Sequence, residues 1–110
     1  MSGVAPRAFR MTLRPGAADE YRRRHDAIWP EIVALLKASG ISDYSIHLDE
    51  SDGVSLFAVR TETQTGAGGG DDLRENPVML RWWAYMADLM ETGHNAEPIS
   101  RPLRPMFLLS

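Results

Sequence analysis

The 110-residue sequence predicts an α+β fold of the ferredoxin-like βαββαβ plan. Three observations carry that expectation. Segments near residues 7–13 and 43–49 alternate apolar and polar residues, the period of half-buried strands. The segment 54–61 is apolar on both faces, as in a central strand covered on two sides. Two longer stretches repeat apolar residues at helical spacing, with breaker or capping residues at their ends.

In the first segment Phe9, Met11 and Leu13 alternate with Arg10 and Thr12, and Pro15-Gly16 ends the strand. A helix is predicted from Ala17 or Ala18, with Asp19 and Glu20 in the first turn, where the macrodipole favours negative charge. Tyr21, Ile28, Ile32, Leu35 and Leu36 recur at its spacing, and Gly40 stands where a C-terminal cap belongs. Pro30 falls inside this stretch, so a kink or a restart is expected near Ile28-Trp29.

The second strand is predicted over Asp43 to Asp49, with Tyr44, Ile46 and Leu48 on one face. Asp52-Gly53 marks a turn, and Val54 to Thr61 forms the third strand, with Val54, Leu56 and Ala58 on one face and Phe57 and Val59 on the other. A glycine-rich loop follows over Gln64 to Asp72. Asn76-Pro77 opens the second helix as cap and first helical residue, and Val78, Met79, Trp82, Trp83, Met86, Leu89 and Met90 form its apolar stripe. Residues 93–105 read as an extended tail, and Met106 to Leu109 as a short fourth strand. Two helices cover one face of such a sheet. The other face predicts a second copy and a two-fold dimer.

The length suits one domain spanning residues 1–110. There is no cysteine, which removes disulfides, thiolate nucleophiles and cysteine metal sites and fits a reducing compartment. The net charge is −3 with both signs interspersed, so nothing suggests a nucleic-acid partner, whose binding rests on phosphate neutralisation. No apolar run approaches the roughly 18 residues of a membrane span. The N-terminus lacks the apolar stretch of a signal peptide. The expectation is a soluble cytoplasmic protein.

Tyr21, His25 and Trp29 are spaced i, i+4, i+8, which on a helix is one face. Trp82 and Trp83 add two indoles and Tyr44 a phenol. Aromatic faces that cover the C–H patches of a pyranose, with a few polar groups to fix its hydroxyls, make a sugar site. The same residues fit a plain reading. A lone helical histidine is more often structural than catalytic, and a tryptophan pair is more often core. His25, His47 and His94 lack metal-ligand spacing, and the glycine run from Gly66 to Gly70 lacks the Gly-Lys-Ser/Thr of a phosphate loop. Arg22, Arg23 and Arg24 fan around the helix as a solvated face, one of them within reach of a carboxylate.

Three blocks go further. Tyr21-Arg22-Arg23-Arg24-His25-Asp26-Ala27-Ile28-Trp29-Pro30-Glu31, then Asp43-Tyr44-Ser45-Ile46-His47-Leu48-Asp49, then Arg81-Trp82-Trp83-Ala84-Tyr85-Met86-Ala87-Asp88 resemble the signatures of the L-rhamnose mutarotase family, in the same order and over nearly the whole chain. Asp26-Ala27 departs from the Asn-Pro common there, and the loop from Thr65 to Leu73 looks longer and richer in glycine. The resemblance implies a dimeric α+β barrel and an isomerase that interconverts the α and β anomers of L-rhamnose in rhamnose catabolism. It implies His25 as the catalytic acid, with Tyr21, Tyr44, Trp82 and Trp83 contacting the sugar.

Mutarotation needs one proton delivered to the ring oxygen and one removed from the anomeric hydroxyl, so no cofactor is required. An imidazole titrates near working pH and suits the first role. The base is open among Tyr21, a water and a substrate hydroxyl. Two other functions fit the same expectations: a cofactor-free monooxygenase on this barrel, distinguished by oxygen consumption, and a sugar-binding module, distinguished by binding without anomer exchange.

Overall fold

A computed structural model describes residues 4–63 and 73–109. The strands are β1 (Val4–Thr12), β2 (Ile41–Leu48), β3 (Ser55–Thr63) and β4 (Arg101–Leu103). The helices are α1 (Ala18–Asp26), α2 (Pro30–Ala38) and α3 (Pro77–Met86), with single 3-10 turns at Ala87–Leu89 and His94–Ala96. One antiparallel sheet has the order β2-β3-β1-β4, the order of a ferredoxin-like fold, with β3 central as its two-sided apolarity predicts. The glycine-rich loop predicted over Gln64 to Asp72 lies outside the described residues.

The long first helix restarts rather than bends. Trp29 is extended, with ψ 132°, because the residue before a proline is pushed out of helical geometry. Pro30 then opens α2 at its first position, where its missing N–H costs no helical bond. Gly40 follows α2 with φ +84°, a conformation that suits glycine. Asn76 caps α3, its side chain accepting from the Val78 N–H at 2.9 Å, with Pro77 next.

Register assigns the sheet faces. Phe9 opposes Ala58, Met11 opposes Leu56, and Ile46 and Leu48 oppose Ala58 and Leu56 from the other side. That face packs on Tyr21, Ile32, Met79, Trp82 and Met86 of the three helices to form the core. The opposite face holds Ala8, Arg10, Phe57, Val59, His47 and Leu103, and no described helix covers it; Val59 and Leu103 are each 38% exposed.

The fourth strand is not at Met106–Leu109 as the apolar run suggests. It is Arg101–Leu103, paired with Ala8–Arg10. After α3 the chain runs back beside β1, with the Glu91 N–H donating to the Thr12 carbonyl at 2.9 Å. That re-entry fixes the register, Ala8 opposite Leu103, and the pairing stops there although β1 itself runs on to Val4. Pro102 is tolerated because an edge strand leaves one side of its backbone unpaired. Met106–Leu109 are instead exposed, from 68% at Leu108 to 83% at Leu109.

Candidate active site

α1 brings Tyr21 and His25 together one turn apart. Their rings stack at 4.3 Å between centroids, 27° between planes. The imidazole edge meets the Trp82 indole of α3 at 5.5 Å and 81°. Trp82 is also in ring contact with Trp29 at 5.0 Å and Tyr85 at 5.7 Å, and is only 6% exposed. It therefore belongs to the core and to the wall of the site at once. The single helical stripe expected for Tyr21, His25 and Trp29 is broken by the α1–α2 restart. Trp29 rejoins the group through Trp82 rather than through helical spacing.

The His25 imidazole is half-buried, with Nδ1 3.1 Å from the Tyr21 carbonyl oxygen. A carbonyl only accepts, so the hydrogen bond assigns a proton to Nδ1. Nε2 is then an acceptor in the neutral ring and a donor in the imidazolium. Burial lowers the histidine below its ordinary value of 6.5, and the bond to the Tyr21 carbonyl opposes this only in part. Burial pushes the Tyr21 phenol well above the ordinary range, and the neighbouring Tyr44 phenol adds to the effect. Tyr21 is thus a fixed hydrogen-bond donor at any working pH.

Tyr44 reaches the same cleft from β2. Its ring meets Phe9 of β1 edge-on at 6.3 Å. The Arg60 guanidinium of β3 lies over both rings, 5.2 Å from Phe9 and 5.4 Å from Tyr44. Burial raises the Tyr44 phenol, and Arg60 pulls it partly back. Arg60 Nε donates to Glu62 Oε2 at 2.6 Å.

One open cleft of about 1370 Å³ runs between sheet and helices, lined among others by Tyr21, His25, Tyr44, Arg60, Trp82 and Trp83. The five residues that the family resemblance assigns to the site, His25, Tyr21, Tyr44, Trp82 and Trp83, line it, and Trp29, the third member of the expected stripe, does not. Trp83 is half-buried and takes no part in the ring contacts among the described residues. Tyr85, Phe9 and Arg60 were not legible as partners in the sequence, because each depends on a neighbour from another element.

Of the three consecutive arginines, Arg24 is the one that pairs across elements. It holds Asp88 with two bonds of 2.8 and 3.2 Å, donates to the Tyr85 carbonyl at 2.7 Å and lies 4.7 Å from the Tyr85 ring. Arg23 pairs with Glu20 within α1, and Arg22 is exposed. His47 is exposed against Ser45 Oγ. Among the described residues, no group of three or more histidine and carboxylate side chains is placed to hold a metal, and no helix is long and apolar enough to cross a membrane.

A family profile described as L-rhamnose mutarotase matches residues 7–109. The chain is 62% identical over 105 residues to an L-rhamnose mutarotase of Sinorhizobium fredii, covering 94% of this chain and 96% of that one. It is 55% identical over 102 residues to an L-rhamnose mutarotase of Rhizobium meliloti, covering 93% and 95%. It is also similar to the crystal structure of an L-rhamnose mutarotase from Formosa agariphila, with TM-score 0.86, 38% identity and coverage of 96% and 99%.

Proposed function

The chain belongs to the L-rhamnose mutarotase family, and from that premise we propose how residues 1–110 act as one catalytic domain. The reaction is the interconversion of the α and β anomers of L-rhamnose, an isomerisation. His25 transfers the proton. The observation that carries this assignment is the imidazole in the cleft wall, oriented by the Tyr21 carbonyl at 3.1 Å, with Nε2 opposite that bond.

The imidazolium Nε2–H gives its proton to the ring oxygen as the bond from that oxygen to the anomeric carbon breaks. The anomeric hydroxyl loses its proton to water, and the electron pair left on its oxygen completes the aldehyde. Rotation about the bond to the next carbon presents the other face. The ring hydroxyl then attacks, returns its proton to Nε2, and the new anomeric oxygen is reprotonated. Atoms and charge balance without a redox step. Tyr21 and Tyr44 offer hydroxyls to the sugar, while the Trp82 and Trp83 indoles cover its C–H faces. Acid–base assistance of this kind contributes about 10²–10⁴-fold, a useful gain for a reaction that already runs in water.

The working unit is a homodimer. Its support is the helix-free sheet face with Val59 and Leu103 at the surface, together with the apolar run Met106–Leu109. The location is the cytoplasm, in keeping with a sugar-metabolising family and a cysteine-free sequence.

The test is saturation-transfer NMR on L-rhamnose. Wild type is expected to speed anomer exchange. His25→Asn keeps a donor for the Tyr21 carbonyl but lacks the second ring nitrogen, and is expected to lose about 10²-fold or more. Exchange at the wild-type rate in that variant overturns the assignment.

A further inference from the structure

Arg60 stands on the helix-covered face of β3, directly opposite Arg7 of β1. Like charges in opposed cross-strand positions destabilise a sheet. Glu62 relieves the pair, lying 2.6 Å from Arg60 Nε and 3.5 Å from Arg7 Nη1. Two cations still share one carboxylate. An aliphatic residue would pack against Phe9 and Tyr44 without that charge, so packing does not account for an arginine here.

The side chain is held rather than loose. Its guanidinium lies over two rings, its Nε is engaged by Glu62, and the side chain is only 16% exposed. Arg7, by contrast, is 61% exposed and sits at the rim. With Nε committed to Glu62 and the Tyr44 hydroxyl also within hydrogen-bond reach of the guanidinium, the Nη1 and Nη2 ends of Arg60 make no ion pair to a described carboxylate and keep N–H groups for a ligand. They line the same cleft as His25 and reach it through one chain of neighbours: Arg60 over Tyr44, Tyr44 beside Tyr21, Tyr21 stacked on His25.

We propose that Arg60 is a specificity-determining substrate contact, its two Nη groups donating to a pair of adjacent ring hydroxyls at the end of the sugar away from His25. A planar fork held on aromatic faces loses little rotamer freedom on binding, and its spacing suits two acceptors side by side. Two neutral hydroxyl oxygens can accept from the two ends of the fork, while Glu62, shared with Arg7, offsets part of the charge. This rests on the sugar-isomerase reading above.

The experiment compares wild type, Arg60→Gln and Arg60→Lys. L-rhamnose binding is read by tryptophan fluorescence, kcat and KM by NMR exchange, and folding by thermal unfolding. The binding comparison is repeated with L-rhamnose analogues each lacking one ring hydroxyl. Arg60→Gln is expected to raise Kd and KM about tenfold, a loss in the range of a hydrogen bond from a charged donor. Its kcat stays within about twofold and its thermal midpoint within a few degrees. Arg60→Lys recovers part of the affinity. For at least one deoxy analogue the gap between wild type and Arg60→Gln closes, because the hydroxyl that Arg60 contacts is gone.

A wild-type Kd in Arg60→Gln overturns the proposal. So does an equal loss for every analogue, which marks a structural residue. If Arg60→Gln fails to fold, Arg60→Lys decides by the same two criteria. Wild type that binds L-rhamnose without exchanging its anomers sinks the reaction assigned above and leaves the binding comparison to judge Arg60. Wild type that exchanges, with both variants matching it, sinks the Arg60 contact alone.

Discussion

His25 and Tyr21 are linked twice: their rings stack at 4.3 Å, and the Tyr21 carbonyl accepts from the His25 Nδ1 at 3.1 Å. The first contact sets the plane of the imidazole and the second its tautomer. Both come from one turn of α1, so the orientation of the proton-transfer atom needs no long-range partner. The burial that lowers its pKa draws on more than α1, since the Trp82 ring of α3 packs against the imidazole.

That burial gives opposite pH dependences to stability and activity. Below its ordinary value of 6.5 the unfolded chain protonates His25 more readily than the folded chain does. Stability therefore rises with pH in this window. It is complete above about pH 6.5 and declines as pH falls through the lowered folded value. The thermal midpoint is expected to fall between pH 7 and pH 5.5, and His25→Asn to flatten that slope. Glu20, held at about 2 chiefly by its hydrogen bond to Arg23 with Arg24 second, enters only at lower pH. Meanwhile kcat/KM for anomer exchange is expected to rise as pH falls, since the proposed donor is the imidazolium. A rate that rises with pH instead would assign His25 as the base.

Tyr21→Phe keeps the ring stack and removes the hydroxyl. We expect partial activity, reduced about tenfold or less, in line with one hydrogen bond. No new inflection in the pH profile is expected, since the wild-type phenol stays protonated throughout. Loss as deep as that of His25→Asn would give Tyr21 a proton-transfer role.

Trp82 and Trp83 are adjacent in sequence but differ in what they support. Trp82→Ala removes the ring that joins His25, Trp29 and Tyr85, and is expected to cost about 3–5 kcal/mol of stability. Trp83→Ala, half-buried and outside that cluster, is expected to cost far less stability and to raise KM. Urea unfolding together with exchange kinetics separates the two. Equal stability losses would place both indoles in the core.

Val59→Asp places a charge on the sheet face that no described helix covers. Sedimentation equilibrium is expected to show a dimer for wild type and a shift toward monomer for this variant. Deletion of residues 106–110 is expected to weaken the dimer as well. A wild type that sediments as a monomer at micromolar concentration removes the dimer.

Much of this was written locally. Alternation at Phe9, Met11 and Leu13 marked the buried face of β1, Pro30 marked the restart of the first helix, and Asn76-Pro77 marked the start of α3. The residues with a helical or strand period reveal which face they take, because that depends only on their own backbone. Their spacing and the three motif blocks were enough to select Tyr21, His25, Tyr44, Trp82 and Trp83.

What the chain alone left undecided is who stands opposite whom. The apolar run Met106–Leu109 looked like a strand, yet β1 pairs with Arg101–Leu103, because the path of the chain after α3 fixed the register first. Arg60 reads as a charge on a strand until β1 and β2 bring Phe9 and Tyr44 beneath it. Trp29 leaves the helix of His25 and regains its neighbours only because α3 carries Trp82 between them. Periodicity assigns a residue to a face; only packing between elements distant in sequence assigns it a partner.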